Sequence, residues 1–393
     1  MDIEILNLNI QQFIEDNIGK DISKLALQKN PFPELDWILI LTQIAAKSKA
    51  KTKLPLWFIT PNIIYFSKIA VEQASSEKTA KHKASIISGR TLIDLTGGFG
   101  VDDYYFSTHF DTVVHCEINT ELSAVVRHNF EQLQVNNIDC ITGDSTKVLQ
   151  GYNSSFDWIY IDPSRRNETK GKVFMLKDCT PNVPALLDFY FEYSKNILIK
   201  TAPLLDISAG LSELKNVKRV HIVAVENEVK ELLWEIEKGY MDTIEILTIN
   251  NTKAGDEKFN FTLEADQKSA QFGLPNKFLY EPNSAIMKSG GFDQVGLRFN
   301  LNKLHPHSHL YTAAEWTDFP GRIFQIEKVI SYQKSAMKEW LENKKANLTT
   351  RNFPDSVESI RKKWKINEGG SQYCFFTTNQ NNDKIVLICT KIK

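Results

Sequence analysis

The first 87 residues carry apolar side chains at helical spacing. From Phe13 to Leu27 these side chains recur at intervals of about three or four residues. A proline-bounded loop interrupts the pattern between Pro55 and Pro61. A further helix is predicted for IIYFSKIAVEQASSEKTAKHKASII, which leads into the next block. We therefore predict an N-terminal helical region over residues 1–87.

From Thr91 onward the pattern changes to short apolar runs that alternate with helix-like segments. Strands are predicted for TLIDL, DTVVHCEI, DCITGD, FDWIYID and NILIK, which are rich in Val, Ile and Tyr. Segments between them, such as Glu121–Gln134, have helical spacing. A later strand, RVHIVAVENE, precedes VKELLWEIEKG, which we predict to be a helix. This alternation predicts an α/β fold over residues 88–265, with a parallel Rossmann-like sheet between helices.

The sequence of the C-terminal third predicts two smaller modules. Residues 266–318 are rich in Gly and Pro but retain aromatic and apolar side chains, so we expect a small folded module and not a linker. Residues 319–393 predict an α+β module with one amphipathic helix from Phe324 to Leu341. Two strands follow, QYCFFTT and KIVLICTKI, joined by the polar turn NQNNDK.

The composition excludes several classes of protein. A hydrophobic fraction of 42% and a charged fraction of 24% are ordinary for a soluble globular chain. Because the formal net charge is -1, a surface that binds nucleic acid must be a local basic patch. The 5 cysteines form no C-x-x-C pair, which indicates a reducing compartment without disulfides or a zinc site. The N-terminus lacks a signal-peptide pattern and Trp37–Ala46 is too short to span a bilayer, so we expect a cytoplasmic protein without membrane contact.

Acidic residues follow four successive predicted strands: Asp94, Glu117, Asp144 and Asp162. Since open α/β sheets bind ligands outside the carboxyl ends of their strands, these acids predict one binding edge. The stretch LIDLTGGFGVDD places Gly98 and Gly100 after the first strand, where glycine lets the backbone approach a ligand. A tight turn explains such glycines equally well on its own. Glu117 is suited to ribose hydroxyls, and Asp144 to the amine of an adenine.

These residues resemble the class I S-adenosylmethionine-dependent methyltransferases. The D-x-x-x-G-x-G turn, the second acid followed by Asn119, the third acid and the D-P motif match that family over about residues 88–250. The resemblance, and not the spacing, selects S-adenosylmethionine over NAD as the cofactor. It implies cofactor contacts from these positions: Asp94, Thr96, Gly98, Gly100, Glu117, Asp144 and Asp162. Thr96 stands where many members have glycine, and RNA-directed members often replace that glycine, so the departure favours a nucleic-acid substrate.

A second resemblance extends over nearly the whole chain. The stretches VEQASSEKTAKHK, DLTGGFGVDD, IDPSRR, KTAPLLDI, VENEVKELL, YEPN and FPGR are similar to an uncharacterised bacterial methyltransferase family. That family has a small ferredoxin-like segment and a THUMP-like C-terminal region, which correspond here to residues 266–318 and 319–393. THUMP modules bind RNA, so the resemblance implies an RNA methyltransferase with RNA as its partner. No obligate protein partner is evident.

The stretch IDPSRR contains the predicted catalytic residues, Asp162, Arg165 and Arg166. In related N-methyltransferases with D-P-P-Y, the acid accepts a hydrogen bond from the target amine and the aromatic ring stacks on the flipped base. Ser164 and Arg165 replace the second proline and the aromatic residue here, so the amine template does not carry over directly. An arginine could stack on a base or bind a phosphate. The alternative is a structural ion pair with Asp162 or Glu168.

Each of four other features has two possible interpretations. Cys179 is either a nucleophile or a buried apolar side chain, and the second is favoured. Lys200 and Asp206 either frame the cleft or are a snorkelling lysine and a helix N-cap. The HPHSH stretch favours a polar loop over metal ligands, so no metal is predicted. The segment 331–365 has nine basic and four acidic residues and contains two tryptophans, which is typical of an RNA-binding face or of a solvated helix.

We therefore expect an enzyme that uses S-adenosylmethionine to methylate a base in ribosomal or transfer RNA. One alternative is a methyltransferase that acts on a small molecule or a protein. Another is a non-catalytic RNA-binding protein with a methyltransferase fold, against which the intact acids at the strand ends argue. Neither the target base nor the acceptor atom can be deduced from the sequence.

Overall fold

The computed structural model describes residues 3–165, 175–264 and 269–393. The chain divides into two compact units. Unit 1 consists of residues 1–218 and 233–241, and unit 2 consists of residues 219–232 and 242–393. Within the described ranges, no helix combines the length and the apolar character needed to cross a bilayer.

The N-terminal part of unit 1 is helical, as predicted, but the predicted loop between Pro55 and Pro61 was wrong over Pro55–Ile59, which is helical too. After a 3-10 helix at Ile3–Leu6, the helices are α1 (Leu8–Asp16), α2 (Ile22–Ala26), α3 (Trp37–Lys53), α4 (Pro55–Ile59), α5 (Lys68–Gln73) and α6 (Glu77–Ile86). The prediction of one continuous helix through this last stretch was wrong. Ser76 caps α6 by accepting the N–H of Thr79, and the Ser75 hydroxyl donates to Asp102. The chain leaves the helical conformation at Ala74, and Ser76 then begins a new helix as the N-cap of α6.

The middle of unit 1 alternates strands with helices, as predicted. The strands are β1 (Gly89–Asp94), β2 (Phe110–Glu117), β3 (Ile138–Thr142), β4 (Phe156–Ile161), β5 (Ser164–Arg165), β6 (Cys179–Thr180) and β7 (Ser194–Thr201). The helices are α7 (Val101–Phe106), α8 (Thr120–Gln132), α9 (Ser145–Gln150), α10 (Val183–Tyr193) and α11 (Ile207–Glu213), and Leu176–Asp178 is a 3-10 helix. A parallel sheet has the order β3-β2-β1-β4-β7, and β5 pairs with β6. Strand residues such as Leu92, Ile159 and Ile197 are fully buried and form the core.

The segment VKELLWEIEKG is a strand, so its predicted helix was wrong. The structure has β8 (Val217–Val225), β9 (Glu228–Glu237), β10 (Ile244–Thr252) and β11 (Gly255–Leu263). Glu226 and Asn227 connect β8 to β9 with φ angles of 50° and 63°, as in the two-residue turns of hairpins. Residues 231–236 of β9 are all buried. The local spacing of apolar residues does not separate a helix from a strand that is buried on both faces.

Unit 2 contains a second sheet. Its strands are β12 (Phe278–Pro282), β13 (Asn302–Lys303), β14 (Tyr311–Ala313), β15 (Gly321–Ser331), β16 (Asn347–Arg351), β17 (Gln372–Thr378) and β18 (Lys384–Lys391). They lie in the order β13-β14-β12-β15-β18-β17-β16. The helices are α12 (Ser284–Ser289), α13 (Phe292–Phe299), α14 (Lys334–Trp340) and α15 (Val357–Trp364). The two predicted C-terminal strands, β17 and β18, are confirmed.

The predicted helix from Phe324 to Leu341 was wrong over its first half. Strand β15 continues to Ser331, and α14 begins only at Lys334. Strand β15 is stabilised by hydrogen bonds to β12 on one side and to β18 on the other. Neither neighbour is adjacent in sequence, so the local pattern of apolar residues did not indicate the strand.

Candidate active site

The strand order of unit 1 brings predicted site residues to one edge of the sheet. Asp94 ends β1, Glu117 ends β2, and Asp162 directly follows β4. Because β2, β1 and β4 are neighbours and run in parallel, their carboxyl ends lie side by side. Asp144 follows β3, which pairs with β2. The chain switches from one side of β1 to the other between β3 and β4, and α/β folds bind ligands at such a switch point.

The glycines between β1 and α7 are required for different reasons. Gly98 has a φ of 56°, and a Cβ there would have its nearest neighbour 3.6 Å away. Gly100 also has a positive φ, 77°, but a Cβ there would lie 2.6 Å from the Phe130 ring. A Cβ at Gly97 would overlap the His115 ring. Packing therefore requires Gly97 and Gly100, whereas Gly98 is favoured by its positive φ, and a Cβ there would meet only the Thr96 carbonyl oxygen.

Glu117 holds this turn from the adjacent strand. Its carboxylate accepts the N–H of Gly98 at 3.0 Å and the N–H of Asn119 at 2.7 Å. Each carboxylate oxygen keeps a further lone pair for another donor. Asp144 is exposed and caps α9, accepting the N–H of Lys147 at 3.1 Å. Both acids thus have a structural role at the edge, and their contacts with a nucleoside stay predictions.

Thr96 links the acid of the first strand to the acid after the fourth. Its backbone N–H and its hydroxyl both donate to Asp94 Oδ1, at 2.7 Å and 3.0 Å. The same hydroxyl oxygen accepts the N–H of Asp162 at 2.7 Å. Asp94 is only 2% exposed. The structure therefore gives Asp94 and Thr96 partners within the protein, and their predicted contacts with a cofactor stay predictions.

Lys200, at the end of β7, forms an ion pair with Asp162. Ile161 of β4 pairs with Ile199 of β7, and Asp162 and Lys200 are the next residues along these two neighbouring strands. The Lys200 side chain is 13% exposed and the Asp162 side chain is 36% exposed. The carboxylate is therefore the more accessible member of the pair, and the ammonium lies behind it.

The other candidates near Asp162 have different outcomes. The N-cap interpretation of Asp206 is confirmed, because its carboxylate accepts the N–H of Ala209 at 3.0 Å. Cys179 is fully buried in β6 and its thiol donates to a backbone carbonyl, which is typical of a structural cysteine. Arg166 lies outside the described residues, as does the side chain of Arg165, whose backbone pairs with Cys179. The predicted roles of both arginines stay predictions.

A buried charged network lies behind the turn and gave no signal in the sequence pattern. Asp102, in the first turn of α7, accepts hydrogen bonds from the hydroxyls of Ser75 and Tyr160, each at 2.8 Å. The ammonium of Lys83, which is fully buried, lies 3.3 Å from the same carboxylate. Burial would raise the pKa of Asp102, but Lys83 and Lys200 lower that pKa below its ordinary value. The network thus keeps an ionised carboxylate between α6 and the sheet.

Asp103 and His115 form a second buried pair, next to Asp94. His115 Nδ1 lies 2.6 Å from Asp103 Oδ2. Burial raises the pKa of Asp94 and of Asp103 well above the ordinary value, and a neighbouring carboxylate raises each pKa further. Burial lowers the pKa of His115. The cluster therefore favours neutral protonation states, and it supports the turn without an accessible charge.

Unit 2 carries the predicted basic segment. Six of its lysines are exposed and form no ion pair with any residue that the structure describes; we call them the lysine set: Lys334, Lys338, Lys344, Lys345, Lys362 and Lys365. Trp364 is 7% exposed and belongs to the core around Met337 and Ile360. The Trp340 ring is covered by the Lys328 ammonium, 3.4 Å from the ring centroid. The accessible feature of this segment is therefore its lysines and not its tryptophan rings.

The HPHSH stretch is a polar loop, the interpretation that the sequence favoured. His305 Nδ1 lies 2.9 Å from the side-chain nitrogen of Asn352 and 3.1 Å from the backbone nitrogen of His307, both of which are donors. The His305 proton is therefore on Nε2, which lies 3.2 Å from the Asn382 side-chain oxygen and donates to it. His305 thus connects the loop to residues that follow β16 and β17.

The stretches YEPN and FPGR meet in unit 2. Glu281 is buried, and its carboxylate accepts hydrogen bonds from Arg322 Nε at 2.6 Å and from Arg351 Nη2 at 2.9 Å. A Cβ at Gly321 would overlap the Glu281 carbonyl oxygen. These stretches therefore build the junction of β12, β15 and β16, a structural role that explains their residue types.

The architecture is that of a class I methyltransferase with additions at both ends. The parallel order β3-β2-β1-β4-β7, the glycine turn after β1 and the acids at the strand ends belong to that fold, and a helical region precedes it. A small sheet module follows it. The predicted fold class is confirmed.

Comparisons with known proteins point to the same class. Family models match a ferredoxin-like domain at residues 278–320 and a THUMP domain-like region at residues 321–391. The chain is 22% identical over 320 residues to an uncharacterised S-adenosylmethionine-dependent methyltransferase of Mycobacterium tuberculosis, strains CDC 1551 and H37Rv, with 78% of this chain and 81% of the relative covered. It is 29% identical to a presumed methyltransferase from Porphyromonas gingivalis W83, whose crystal structure superposes with a TM-score of 0.89 over 100% of both chains. The predicted resemblance to methyltransferases with ferredoxin-like and THUMP-like regions is confirmed.

Proposed function

We propose that this chain is an S-adenosylmethionine-dependent methyltransferase that modifies RNA. The observation that carries the proposal is the arrangement at the sheet edge. Glu117 and Gly98 are in direct contact beside β1, and Asp162 follows the strand on the other side of β1. The similarity to methyltransferases along most of the chain supports the reaction class, and the match to a THUMP domain-like region supports RNA.

The residues at the turn fit a cofactor that contains a nucleoside. Gly98 leaves room for a ligand, and Glu117 has free lone pairs beside it. Ile118, which the sequence pattern did not single out, is 70% exposed although it is apolar, and it suits the face of an adenine. We assign the ribose to Glu117 and the adenine to Ile118 and Asp144. The remaining contacts are assigned to Asp94, Gly98 and Gly100. When bound, S-adenosylmethionine supplies a methyl group on a positively charged sulfur.

Asp162 is assigned to the substrate. Methylation of a nitrogen requires an acceptor held in line and a group that takes up its proton. The Asp162 carboxylate is partly exposed at the sheet edge, and Lys200 holds it from behind. It can therefore accept a hydrogen bond from the acceptor group and then its proton. Arg165 and Arg166, which follow in the chain, are proposed to hold the nucleotide by stacking or by its phosphate.

The RNA surface is assigned to unit 2. The lysine set provides exposed positive charge that no described carboxylate neutralises. Such charge binds a phosphate backbone and releases its counterions, independently of sequence. On a chain whose formal net charge is -1, this segment is a local attraction for a polyanion.

The test begins with mass spectrometry of modified nucleosides in RNA from a wild-type strain and from a strain that lacks the gene. We expect one methylated nucleoside to be absent in the second strain. The purified protein should then transfer a labelled methyl group from S-adenosylmethionine to RNA from that strain. Label in protein or in small molecules, with unchanged RNA, would contradict the RNA substrate but keep the reaction class. No binding of S-adenosylmethionine in calorimetry would contradict the class itself.

A further inference from the structure

We propose that Thr96 is a positioning residue, whose hydroxyl fixes Asp162 relative to the glycine turn. This inference rests on the proposed function, in which the turn serves the cofactor and Asp162 serves the substrate. The role differs from that of a cofactor ligand. It gives a physical reason for a threonine at a position where the family often has glycine.

The hydroxyl of Thr96 is engaged in both directions. It donates its proton to Asp94 Oδ1 at 3.0 Å and accepts the N–H of Asp162 at 2.7 Å. The Asp94 end is anchored, because that side chain is buried and also accepts the Thr96 backbone N–H at 2.7 Å. The hydroxyl therefore connects the buried end of β1 to Asp162, the residue that follows β4, and limits how far Asp162 can move from it.

The bond continues the pairing of β1 and β4 beyond the regular ladder. The N–H of Leu95 donates to the carbonyl of Tyr160 at 3.0 Å. Asp162 lies two residues further along, after β4 has ended, and the Thr96 side chain takes the place of a backbone acceptor there. Lys200 holds the Asp162 carboxylate separately. Loss of the Thr96 hydroxyl should therefore loosen the Asp162 backbone while its ion pair and the fold remain.

The chain offers a matched control at the other end of the same strands. The hydroxyl of Thr91, in β1, accepts the N–H of Asp157, in β4, at 3.1 Å. This is the same type of bond between the same two strands, five positions earlier in both. It lies toward the amino ends of the strands, away from the site edge. A general effect of weaker strand pairing would follow from either threonine, but an effect on positioning would follow only from Thr96.

The experiment compares Thr96→Val, Thr96→Ser and Thr91→Val with the wild-type chain. Melting curves establish folding, calorimetry measures affinity for S-adenosylmethionine, and single-turnover assays measure methyl transfer to total RNA from the strain that lacks the gene. For Thr96→Val we expect transfer to slow about tenfold or more, with cofactor affinity within about threefold of wild type. Thr96→Ser should restore most of the rate, and Thr91→Val should change neither quantity by more than about twofold.

Several outcomes would overturn the inference. A wild-type rate in Thr96→Val would exclude positioning, and a parallel loss of rate and cofactor affinity would make Thr96 a cofactor ligand. Equal slowing in Thr91→Val would attribute the effect to strand pairing in general. Failure of the proposed function is recognised separately, in the wild-type chain. A wild-type chain that binds no S-adenosylmethionine, or binds it and labels no RNA, overturns that function and this inference with it.

Discussion

The lysines beside the candidate site of unit 1 and the lysine set of unit 2 are organised in opposite ways. In unit 1, Lys83 and Lys200 are shielded from solvent and form ion pairs with Asp102 and Asp162. In unit 2 the lysine set is exposed and has no ion-pair partner among the residues that the structure describes. The same residue type, lysine, is thus used in two physical states within one chain.

The difference follows from what each state can do. Burying a charge costs several kcal/mol, and a partner in good geometry offsets that cost only if the geometry is held. Buried pairs therefore suit a site that must place a reacting group. Exposed lysines stay hydrated and mobile, so they attract a polyanion over a distance set by the salt concentration. The comparison predicts that chemistry depends on unit 1 and that salt-dependent RNA attraction depends on unit 2.

The largest expected effect is on chemistry, in Asp162→Asn. The amide keeps the size of the side chain and still offers an oxygen to Lys200, but it cannot take up a proton. Single-turnover methyl transfer to RNA should fall about 100-fold or more, with affinity for S-adenosylmethionine little changed. Asp188→Asn is the control, since Asp188 is an exposed carboxylate paired with Lys215 at the surface of the same unit. Wild-type turnover in Asp162→Asn would remove Asp162 from the chemistry.

The second effect is on RNA attraction. Replacing four members of the lysine set, Lys334, Lys338, Lys345 and Lys362, by glutamine should weaken RNA binding roughly 100-fold at low salt. It should reduce the slope of log affinity against log salt by about 3. Filter binding over a salt series measures both quantities, and calorimetry should show unchanged cofactor affinity.

The control for the lysine variant makes the same change of charge on exposed lysines of unit 1: Lys24, Lys29, Lys51 and Lys195. If this second variant loses as much RNA affinity as the first, RNA attraction does not depend specifically on unit 2, because net charge alone would explain the binding.

The third effect is on the cofactor, in Glu117→Ala. The carboxylate accepts the N–H groups of Gly98 and Asn119 and is assigned to the ribose, so its removal should weaken S-adenosylmethionine binding by about 2 kcal/mol, roughly 30-fold. Salt-dependent RNA binding should not change. Glu121→Ala, an exposed acid in the first turn of α8, is the control in calorimetry. Binding of NAD instead of S-adenosylmethionine by the wild-type chain would contradict the assignment of the cofactor.

The smallest effect concerns pH and a half-buried titratable group of unit 2, His309. Burial, and then the charges of Lys303 and Arg351, lower the pKa of His309 to about 4. A histidine whose pKa is lower in the folded chain stabilises the fold above about pH 6.5 and loses that contribution as the pH falls toward 4. Stability should therefore decrease on acidification from pH 7.5 to pH 5.

The variant for this prediction is His309→Asn, because His309 has a φ of 53° and asparagine tolerates that conformation. It also removes the stacking of His309 on Phe292, but that loss does not depend on pH. The fall in melting temperature between pH 7.5 and pH 5 should be smaller in the variant by about 2 °C or more. An identical fall in both proteins would show that His309 does not titrate in this range.

Much of the fold followed from local patterns in the sequence. Strands β1 to β4 and β7 were predicted because apolar runs of strand length alternate with helical segments, and the acids at their ends were located in the same way. The N-cap role of Asp206 was one of two interpretations, and the position of Asp206 before ISAGLSEL indicated it. In these cases the deciding interactions lie within a few residues of each other, so the pattern along the chain contains them.

The two helices that were wrongly predicted over β9 and over the first half of β15 have a common physical cause. Strands β9 and β15 have apolar spacing that also suits a helix, and partners distant in sequence decide between the two. The composition of the segment 331–365 did not indicate which of its rings are accessible, and Trp364 packs into the core of unit 2. Local propensity cannot resolve such cases, because tertiary contacts override it.

By itself, the sequence determined the class of fold, the order of its elements and the row of acids at the strand ends. Only the tertiary structure decided which groups meet there: the hydroxyl of Thr96 with the N–H of Asp162, Lys200 with the Asp162 carboxylate, and buried Lys83 with Asp102. The reason is that periodicity specifies which face of a strand or helix is buried, whereas the order and register of strands specify which distant side chains come within hydrogen-bonding distance. Thr96 and Asp162 are far apart in the chain, and they meet because β1 and β4 are neighbours in the sheet.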